Sequence, residues 1–214
     1  MKSNLIFVIF IQLLFLNCSE KKGNNIESPY DLSVSEGFQN PLGFHDSLPS
    51  FSWKLPKTST VIKQRAYSIV VASAPDLLPD SPDVWSSGKV MSNQSVFVKY
   101  AGNPLQSRQK IYWQIRYWDS ENSVSDWSEI SSIEMGLLSN ADWKGKWIKI
   151  PDPKKWDTTR YGTHLFRPQY LKNDFKINSK VKKARLYITS KGVFEAHING
   201  KKVGNDVLTQ GWTP

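Results

Sequence analysis

Apolar and polar residues alternate with a period of two in several short segments of this chain, most clearly over residues 111–118. The apolar members of that segment are two residues apart: Ile111, Trp113, Ile115 and Tyr117. Successive side chains of a β-strand point to opposite faces, so this spacing predicts a strand with one buried face. The polar stretch 119–123 predicts a turn after it, and residues 130–135 predict the next strand.

The same alternation recurs along residues 28–138. Its apolar positions are Phe51 and Trp53, then Tyr67, Ile69 and Val71, then Val96, Val98 and Tyr100. The segment WSSG at 85–88 predicts a turn. About seven short strands in this length are typical of an antiparallel immunoglobulin- or fibronectin type III-like β-sandwich. SDWS at 125–128 resembles the Trp-Ser element of fibronectin type III folds, the alternative being a plain turn with one packed tryptophan.

A second β-region follows a connector that we assign to residues 139–159. Within residues 160–214, a strand is possible over 165–175, and apolar residues alternate again over 184–188 and 194–198. Asn199-Gly200 is a strong hairpin signal, because a type I′ turn needs positive φ at both central residues. Three or four strands fall short of the eight or so of a jelly-roll, so we expect an incomplete second β-sandwich of jelly-roll type in a truncated chain. The predicted fold class is therefore all-β.

The N-terminus has the pattern of an export signal. Residues 1–17 begin with a lysine and continue in a short apolar run, Leu5–Leu16, which is too short to span a bilayer as a helix. Cys18 then lies where a bacterial lipobox would place its acylated cysteine, although Asn17 departs from the usual small residue. We expect a lipid-anchored tether over 18–27 on an exported lipoprotein in the periplasm or at the cell surface. The alternative is an ordinary signal peptide with an incidental cysteine.

Charge and composition exclude some classes of function. The formal net charge is +9, but the lysines are scattered and no nucleic-acid-binding motif accompanies them, so a solvated basic surface is favoured over nucleic-acid binding. The single cysteine excludes a disulfide within one chain and a cysteine-based metal site. The nine tryptophans are typical of thin β-sandwich cores, although one or more could stack on a sugar ring.

Candidate catalytic residues are few. His45, His164 and His197 lack metal-ligand spacing, so we predict no metal site and no cofactor. Glu195 and Asp206 on neighbouring strands could form a glycosidase pair, but nothing in the sequence raises the pKa of either, so we assign no catalytic residue.

Three aromatic residues in polar, irregular stretches are candidates for carbohydrate contact. They are Tyr161, Trp212 and, more weakly, Trp156. Each ring could stack on the apolar face of a pyranose. Core packing is the alternative for Trp212.

Twelve short segments, in order and spacing, resemble the N-terminal part of bacterial α-L-rhamnosidases of the glycoside hydrolase 78 type. They are PLG at 41–43, PSFSW at 49–53, QRAYSIVVAS at 64–73, WSSGKV at 85–90, YWQIRYWD at 112–119, WSE at 127–129, MGLL at 135–138, DW at 142–143, LFR at 165–167, ARLYI at 184–188, NGKKVG at 199–204 and GWT at 211–213. Each segment alone is weakly specific, and their order carries the resemblance.

The resemblance implies a fibronectin-like sandwich, further β-sandwiches and a catalytic (α/α)6 barrel. Such enzymes release terminal α-L-rhamnose with inversion, for which a general acid and a general base lie about 6.5–9.5 Å apart. The resemblance places these carboxylates in the barrel, so no residue here inherits their role. It implies that the chain is an accessory portion of the enzyme. The expected partners are a rhamnose-containing glycan and, through the lipid anchor, a membrane. We assign no oligomeric state. The alternatives are a non-catalytic carbohydrate-binding lipoprotein and a structural β-sandwich.

Overall fold

The computed structural model describes residues 26–57, 63–151 and 169–205. The chain divides into two compact units, Met1–Lys146 and Trp147–Pro214. The described residues contain β-strands and two short 3-10 turns, Pro75–Leu77 and Asn140–Asp142, but no α-helix. The predicted all-β class is therefore confirmed.

The described residues of the first unit form eight strands. They are β1 Tyr30–Val34, β2 Leu42–Phe44, β3 Ser50–Lys54, β4 Gln64–Ala72, β5 Trp85–Ser86, β6 Val98–Lys99, β7 Lys110–Asp119 and β8 Ser131–Met135. One sheet has the order β1-β3-β6 and the other the order β2-β8-β7-β4-β5. Two sheets of this size around one apolar core form an immunoglobulin-like β-sandwich.

The alternation read from the sequence accounts for the core between the two sheets. Ile111, Trp113, Ile115 and Tyr117 of β7 are all fully buried, and Phe51 of β3 lies against Trp113 with ring centroids 4.5 Å apart. Trp53 and Tyr67 form an edge-to-face pair with ring centroids 5.3 Å apart. Aromatic side chains bury large areas and favour such tilted contacts, so a few of them fill most of the core.

Strand β4 is buried on both faces, whereas the alternation predicts one buried face. On its outer face lie Ala66, Ser68, Val70 and Ala72, all of them buried. The residues of β7 that pair with them are, in the same order, Trp118, Arg116, Gln114 and Tyr112. Directly opposed side chains in an antiparallel pair are close neighbours, so long side chains of β7 lie beside small residues of β4.

Among the pairs of strands in the described residues, only β2 and β8 run parallel, at the edge of the five-stranded sheet. The two backbones approach closely at two glycines. A Cβ added at Gly136 would lie 2.9 Å from the carbonyl oxygen of Gly43, which itself has a φ of +77°. The sequence-based prediction of a purely antiparallel sandwich missed β2, because three residues give no alternation to read.

Two further local predictions were wrong. The segment predicted as a turn at 85–88 begins with strand β5, which pairs with Val70 and Val71 of β4. Val96 does not share the buried face of Val98, because Phe97 between them has a φ of +51° and the strand starts only at Val98.

The two ends of the sandwich carry different parts of the chain. We call one end the N-terminal pole, where Tyr30 pairs with Lys54 and Gln64 pairs with Asp119. The other end, the C-terminal pole, contains Lys110, which pairs with Glu134 near the end of β8. The chain therefore enters the sandwich at the first pole and leaves it at the second.

A polar clamp fixes the chain just after β8. Ser107 and Ser139 donate hydrogen bonds from their hydroxyls to the Asp142 carboxylate at 2.5 and 3.0 Å, and the Arg108 guanidinium donates to the Asp142 carbonyl at 2.7 Å. These hydroxyl donors, the nearby backbone N–H of Ser139 and the charge of Arg108 lower the pKa of Asp142. The predicted connector therefore begins with a 3-10 turn held on the first unit.

The second unit contributes one β-hairpin to the described residues, β9 His197–Ile198 and β10 Lys201–Lys202. Its turn has φ of +50° at Asn199 and +77° at Gly200, so the predicted positive φ at both positions is confirmed. The strand predicted over 184–188 is not assigned, and residues 169–175 form no strand either. A hairpin closes through its own turn, whereas those segments need a partner strand that the described residues do not supply.

Candidate functional site

The residues that the sequence singled out for binding lie outside the described part of the chain. They are Cys18, Trp156, Tyr161 and Trp212. The predicted roles of lipid attachment at the cysteine and carbohydrate contact at the three aromatics therefore stay predictions.

A group of cations and tryptophans lies on the outer face of the five-stranded sheet. The Arg116 guanidinium lies 5.0 Å from the ring centroid of Trp118 and 4.6 Å from that of Trp127. The Lys89 ammonium lies 4.3 Å from Trp118 and also donates a hydrogen bond to the Asn122 side chain at 3.3 Å. Contacts of this kind stabilise a partly exposed surface by about 0.5–1 kcal/mol each.

The SDWS segment accounts for part of this arrangement. Ser125 and Ser128 each accept a hydrogen bond at 3.1 Å from a β7 backbone N–H, those of Tyr117 and Ile115. The two serines thus lie along β7 and leave Trp127 between them, beside Arg116. The segment is therefore more than a plain turn, since it pairs with the strand and completes the cation–tryptophan group.

The contacts of this group are cation–ring contacts within the protein. The group contains two cations and two indole rings but no carboxylate hydrogen-bonded to a nucleophile or base. Because guanidinium and ammonium groups already lie at the tryptophan rings, the group stabilises the outer face of the sheet.

A second feature, which the sequence reasoning missed, is a loop at the N-terminal pole over residues 91–97. Gln64 is buried beneath it, accepts a hydrogen bond from the Trp53 indole at 3.0 Å and donates to the carbonyls of Ser92 at 3.2 Å and Gln94 at 2.7 Å. Above this support, Met91, Val96 and Phe97 are more than half exposed. The isolated Gln64 at the start of an apolar strand was the available signal, since a buried amide requires partners.

The described residues show no acid–base pair and no metal site. Glu195 accepts a hydrogen bond from the Lys202 ammonium at 2.7 Å, and this contact lowers the pKa of the glutamate. A general acid needs the opposite shift. Asp206, its conceivable partner, lies outside the described range. No group of three or more His, Cys, Asp or Glu side chains suited to a metal ion occurs in the described ranges, where His45 and His197 are exposed.

No helix within the described part of the chain is long and apolar enough to cross a membrane.

The fold thus defines the first unit as an immunoglobulin-like β-sandwich, and comparison with known families agrees. The family model described as "Rha78A-like, N-terminal immunoglobulin domain" matches residues 29–139. A second, described as "Alpha-L-rhamnosidase N-terminal domain", matches residues 179–214. The chain belongs to this family, as the N-terminal region of α-L-rhamnosidases of the glycoside hydrolase 78 type. The predicted family resemblance is confirmed.

Curated relatives agree with this assignment. An α-L-rhamnosidase of Formosa agariphila is 47% identical over 209 residues, which cover 98% of this chain and 23% of the relative. An α-L-rhamnosidase of Alteromonas sp. (strain LOR) is 41% identical, over 97% of this chain and 23% of the relative. The chain therefore spans about a quarter of the length of these relatives.

Solved structures show the same fold. The α-L-rhamnosidase of Streptomyces avermitilis complexed with L-rhamnose is 40% identical with a TM-score of 0.55, over 58% of this chain and 12% of that one. The α-L-rhamnosidase of Dictyoglumus thermophilum is 39% identical with a TM-score of 0.58, over 63% and 15% of the two chains.

Proposed function

We propose that this chain is the non-catalytic N-terminal β-sandwich portion of an α-L-rhamnosidase that acts on rhamnose-containing glycans. The observation that carries the proposal is the identity of 47% and 41% to two α-L-rhamnosidases over nearly the whole chain. A solved relative is complexed with L-rhamnose, which supports rhamnose as the sugar recognised by the complete enzyme.

The non-catalytic role rests on the chemistry of the described residues. An inverting glycosidase needs a carboxylic acid that stays protonated at neutral pH and a carboxylate that activates water. For Glu195, the described member of the one pair that we considered, the contact with Lys202 lowers the pKa, which is the opposite of the shift that a general acid needs. The proposal therefore assigns catalysis to a part of the enzyme that this chain does not supply.

The location that we propose for the enzyme is outside the cytoplasm, attached to a membrane through acylated Cys18. Its support is the sequence pattern, a short apolar run followed by the only cysteine of the chain. Mass spectrometry of the mature protein tests this point: an N-terminal acylated cysteine is expected, and an unmodified Cys18 within a longer chain would contradict it.

The test of the function is a chimera. The region of the Formosa agariphila relative that matches this chain is replaced by this chain, and hydrolysis of p-nitrophenyl α-L-rhamnoside is measured beside the parent enzyme and this chain alone. We expect activity in the chimera and none in the isolated chain. Hydrolysis by the isolated chain would refute the non-catalytic role. A folded but inactive chimera would show that this chain cannot serve as the N-terminal portion of the enzyme.

A further inference from the structure

The loop over residues 91–97 carries three large apolar side chains that are exposed to solvent. Met91 is 59% exposed, Val96 55% and Phe97 60%. Most large apolar side chains of the first unit lie in its core, so three of them on one loop mark a contact surface.

This loop is held in a fixed conformation. The Gln94 amide donates hydrogen bonds to the carbonyls of Val96 at 2.9 Å and Phe97 at 3.2 Å, and the Phe97 N–H donates to the Ser52 hydroxyl at 2.9 Å. Phe97 has a φ of +51°, a left-handed conformation that is uncommon for a bulky residue. Strained residues of this kind persist where their surroundings hold them in place and cluster at functional surfaces.

The N-terminal tether joins the sandwich at the same pole. Ile26 forms a β-bridge with Ser125, and Tyr30 pairs with Lys54 of β3. Ile26 is eight residues from Cys18 in the sequence. Eight residues of chain extend to at most about 28 Å. A lipid on Cys18 would therefore keep this pole close to the bilayer.

We propose that the 91–97 loop docks on the lipid surface that holds the anchor, with Phe97 and Val96 entering the interface between headgroups and acyl chains. The inference rests on the lipid attachment proposed above, and it adds an orientation: the N-terminal pole faces the bilayer and the C-terminal pole faces away. The segments that meet at this pole carry charges of both signs: Lys57 and Lys63 are basic, and Glu27 and Glu121 are acidic. Apolar contact therefore drives the docking, and electrically neutral lipids are sufficient.

The experiment attaches the mature chain, from Cys18 onward, to phosphatidylcholine vesicles through a maleimide lipid. Cys18 is the single cysteine, so the attachment point is fixed even if cells never acylate it. Phe97→Trp places an indole on the loop. Leu48→Trp is the matched control, because Leu48 is 49% exposed and precedes β3 at the C-terminal pole. Lipids brominated near the headgroup quench tryptophan fluorescence. The readout is the quenching of the fluorescence that the introduced indole adds to that of the parent chain.

We expect the indole at 97 to lose at least about twofold more of its emission than the indole at 48, since interfacial side chains enter about 5–10 Å into the headgroup boundary. A third variant, Met91→Trp, reports from the other end of the loop. Adding Phe97→Asp and Val96→Asp to it should abolish the quenching of the indole at 91. Equal quenching at 97 and 48, or none at either, would overturn the docking. A dimer of the unattached chain that Phe97→Asp dissociates would also overturn it, by assigning the loop to a second copy. Failure of acylation in cells would refute the anchor and leave the vesicle result standing.

Discussion

Gln64 shows how one buried polar residue organises a β-sandwich. Its amide joins the core indole of Trp53 to the backbone of the 91–97 loop through three hydrogen bonds. Gln114 is buried on the neighbouring strand, but its amide donates to the Ser128 carbonyl at 2.6 Å while its oxygen has no partner. The two glutamines are thus alike in burial and different in the number of groups that depend on them.

We predict that Gln64→Leu lowers the free energy of unfolding by about 2–4 kcal/mol, because it leaves one indole N–H and two carbonyls without partners. Gln114→Leu is the matched control and should cost no more than about 1 kcal/mol, because it leaves a single carbonyl without its donor and at the same time removes an amide oxygen that has no partner. Urea denaturation followed by tryptophan fluorescence measures both. Equal losses would show that the contacts of Gln64 contribute nothing beyond burial.

A second prediction at this scale concerns Tyr117, whose hydroxyl is buried without a partner. Burial, assisted by the charges of Asp119 and Glu27, raises the pKa of Tyr117 to about 12, above its ordinary value of about 10. Because the folded-state pKa is raised, the contribution of Tyr117 to the free energy of unfolding is fully present below pH 10 and is lost progressively as the pH rises from 10 to 12.

Tyr117→Phe removes this ionisation together with an unpaired hydroxyl. We expect the variant to match the parent within about 0.5 kcal/mol at pH 7 and to be the more stable of the two above pH 10. Thermal unfolding at a series of pH values checks this. Parallel pH profiles for parent and variant would contradict it.

At the scale of strands, the parallel contact of β2 and β8 depends on the absence of one side chain. The carbonyl oxygen of Gly43 lies only 2.9 Å from where the Cβ of an alanine at 136 would be, and the Gly136 N–H donates to the Phe44 carbonyl at 2.8 Å. Backbone cannot move aside as a flexible side chain can, so the strand itself must shift.

We therefore predict that Gly136→Ala lowers the free energy of unfolding by about 1–3 kcal/mol, the usual range for overpacking. Gly145→Ala is the control, since nothing lies within 4 Å of its added Cβ and its φ is not positive. Chemical denaturation of the two variants side by side tests this. A loss in Gly136→Ala no larger than that in Gly145→Ala would mean that β2 does not need the close approach.

Alternation predicted β3, β4, β7 and β8, because each buries a regular series of side chains on its inner face. It failed at Val96, where the strained Phe97 reverses the side-chain direction, and at β5, where two residues are too few to show a period. Alternation also could not predict that the outer face of β4 is buried, because the large residues beside Ala66 and Ser68 come from a strand about 50 residues away in the sequence. The sequence did not predict the proposed docking loop for the same reason. Gln64 supports the loop through Ser92 and Gln94, which are 28 and 30 residues away in the sequence.

At the scale of the whole molecule, the described residues of the two units differ in how far their apolar side chains are buried. In the first unit Phe51, Trp113 and Ile115 are fully buried. In the second, Tyr170 is 93% exposed, Phe175 71% and Ile177 58%, and residues 169–175 form no strand. Segments with few buried contacts and little backbone pairing open locally at low free energy.

This difference predicts the order in which chymotrypsin cuts the chain during limited proteolysis. We predict that the first cuts fall after Tyr170 and Phe175, while a fragment that contains residues 26–146 persists, because Phe51 and Trp113 become accessible only on global unfolding. Mass spectrometry of the timed digest identifies the cuts. The Gln64→Leu variant is an internal control, since destabilising the sandwich should speed loss of the persistent fragment and leave the cuts at 170 and 175 unchanged. Equal resistance of the two units would show that the apolar residues of the second unit are covered in solution.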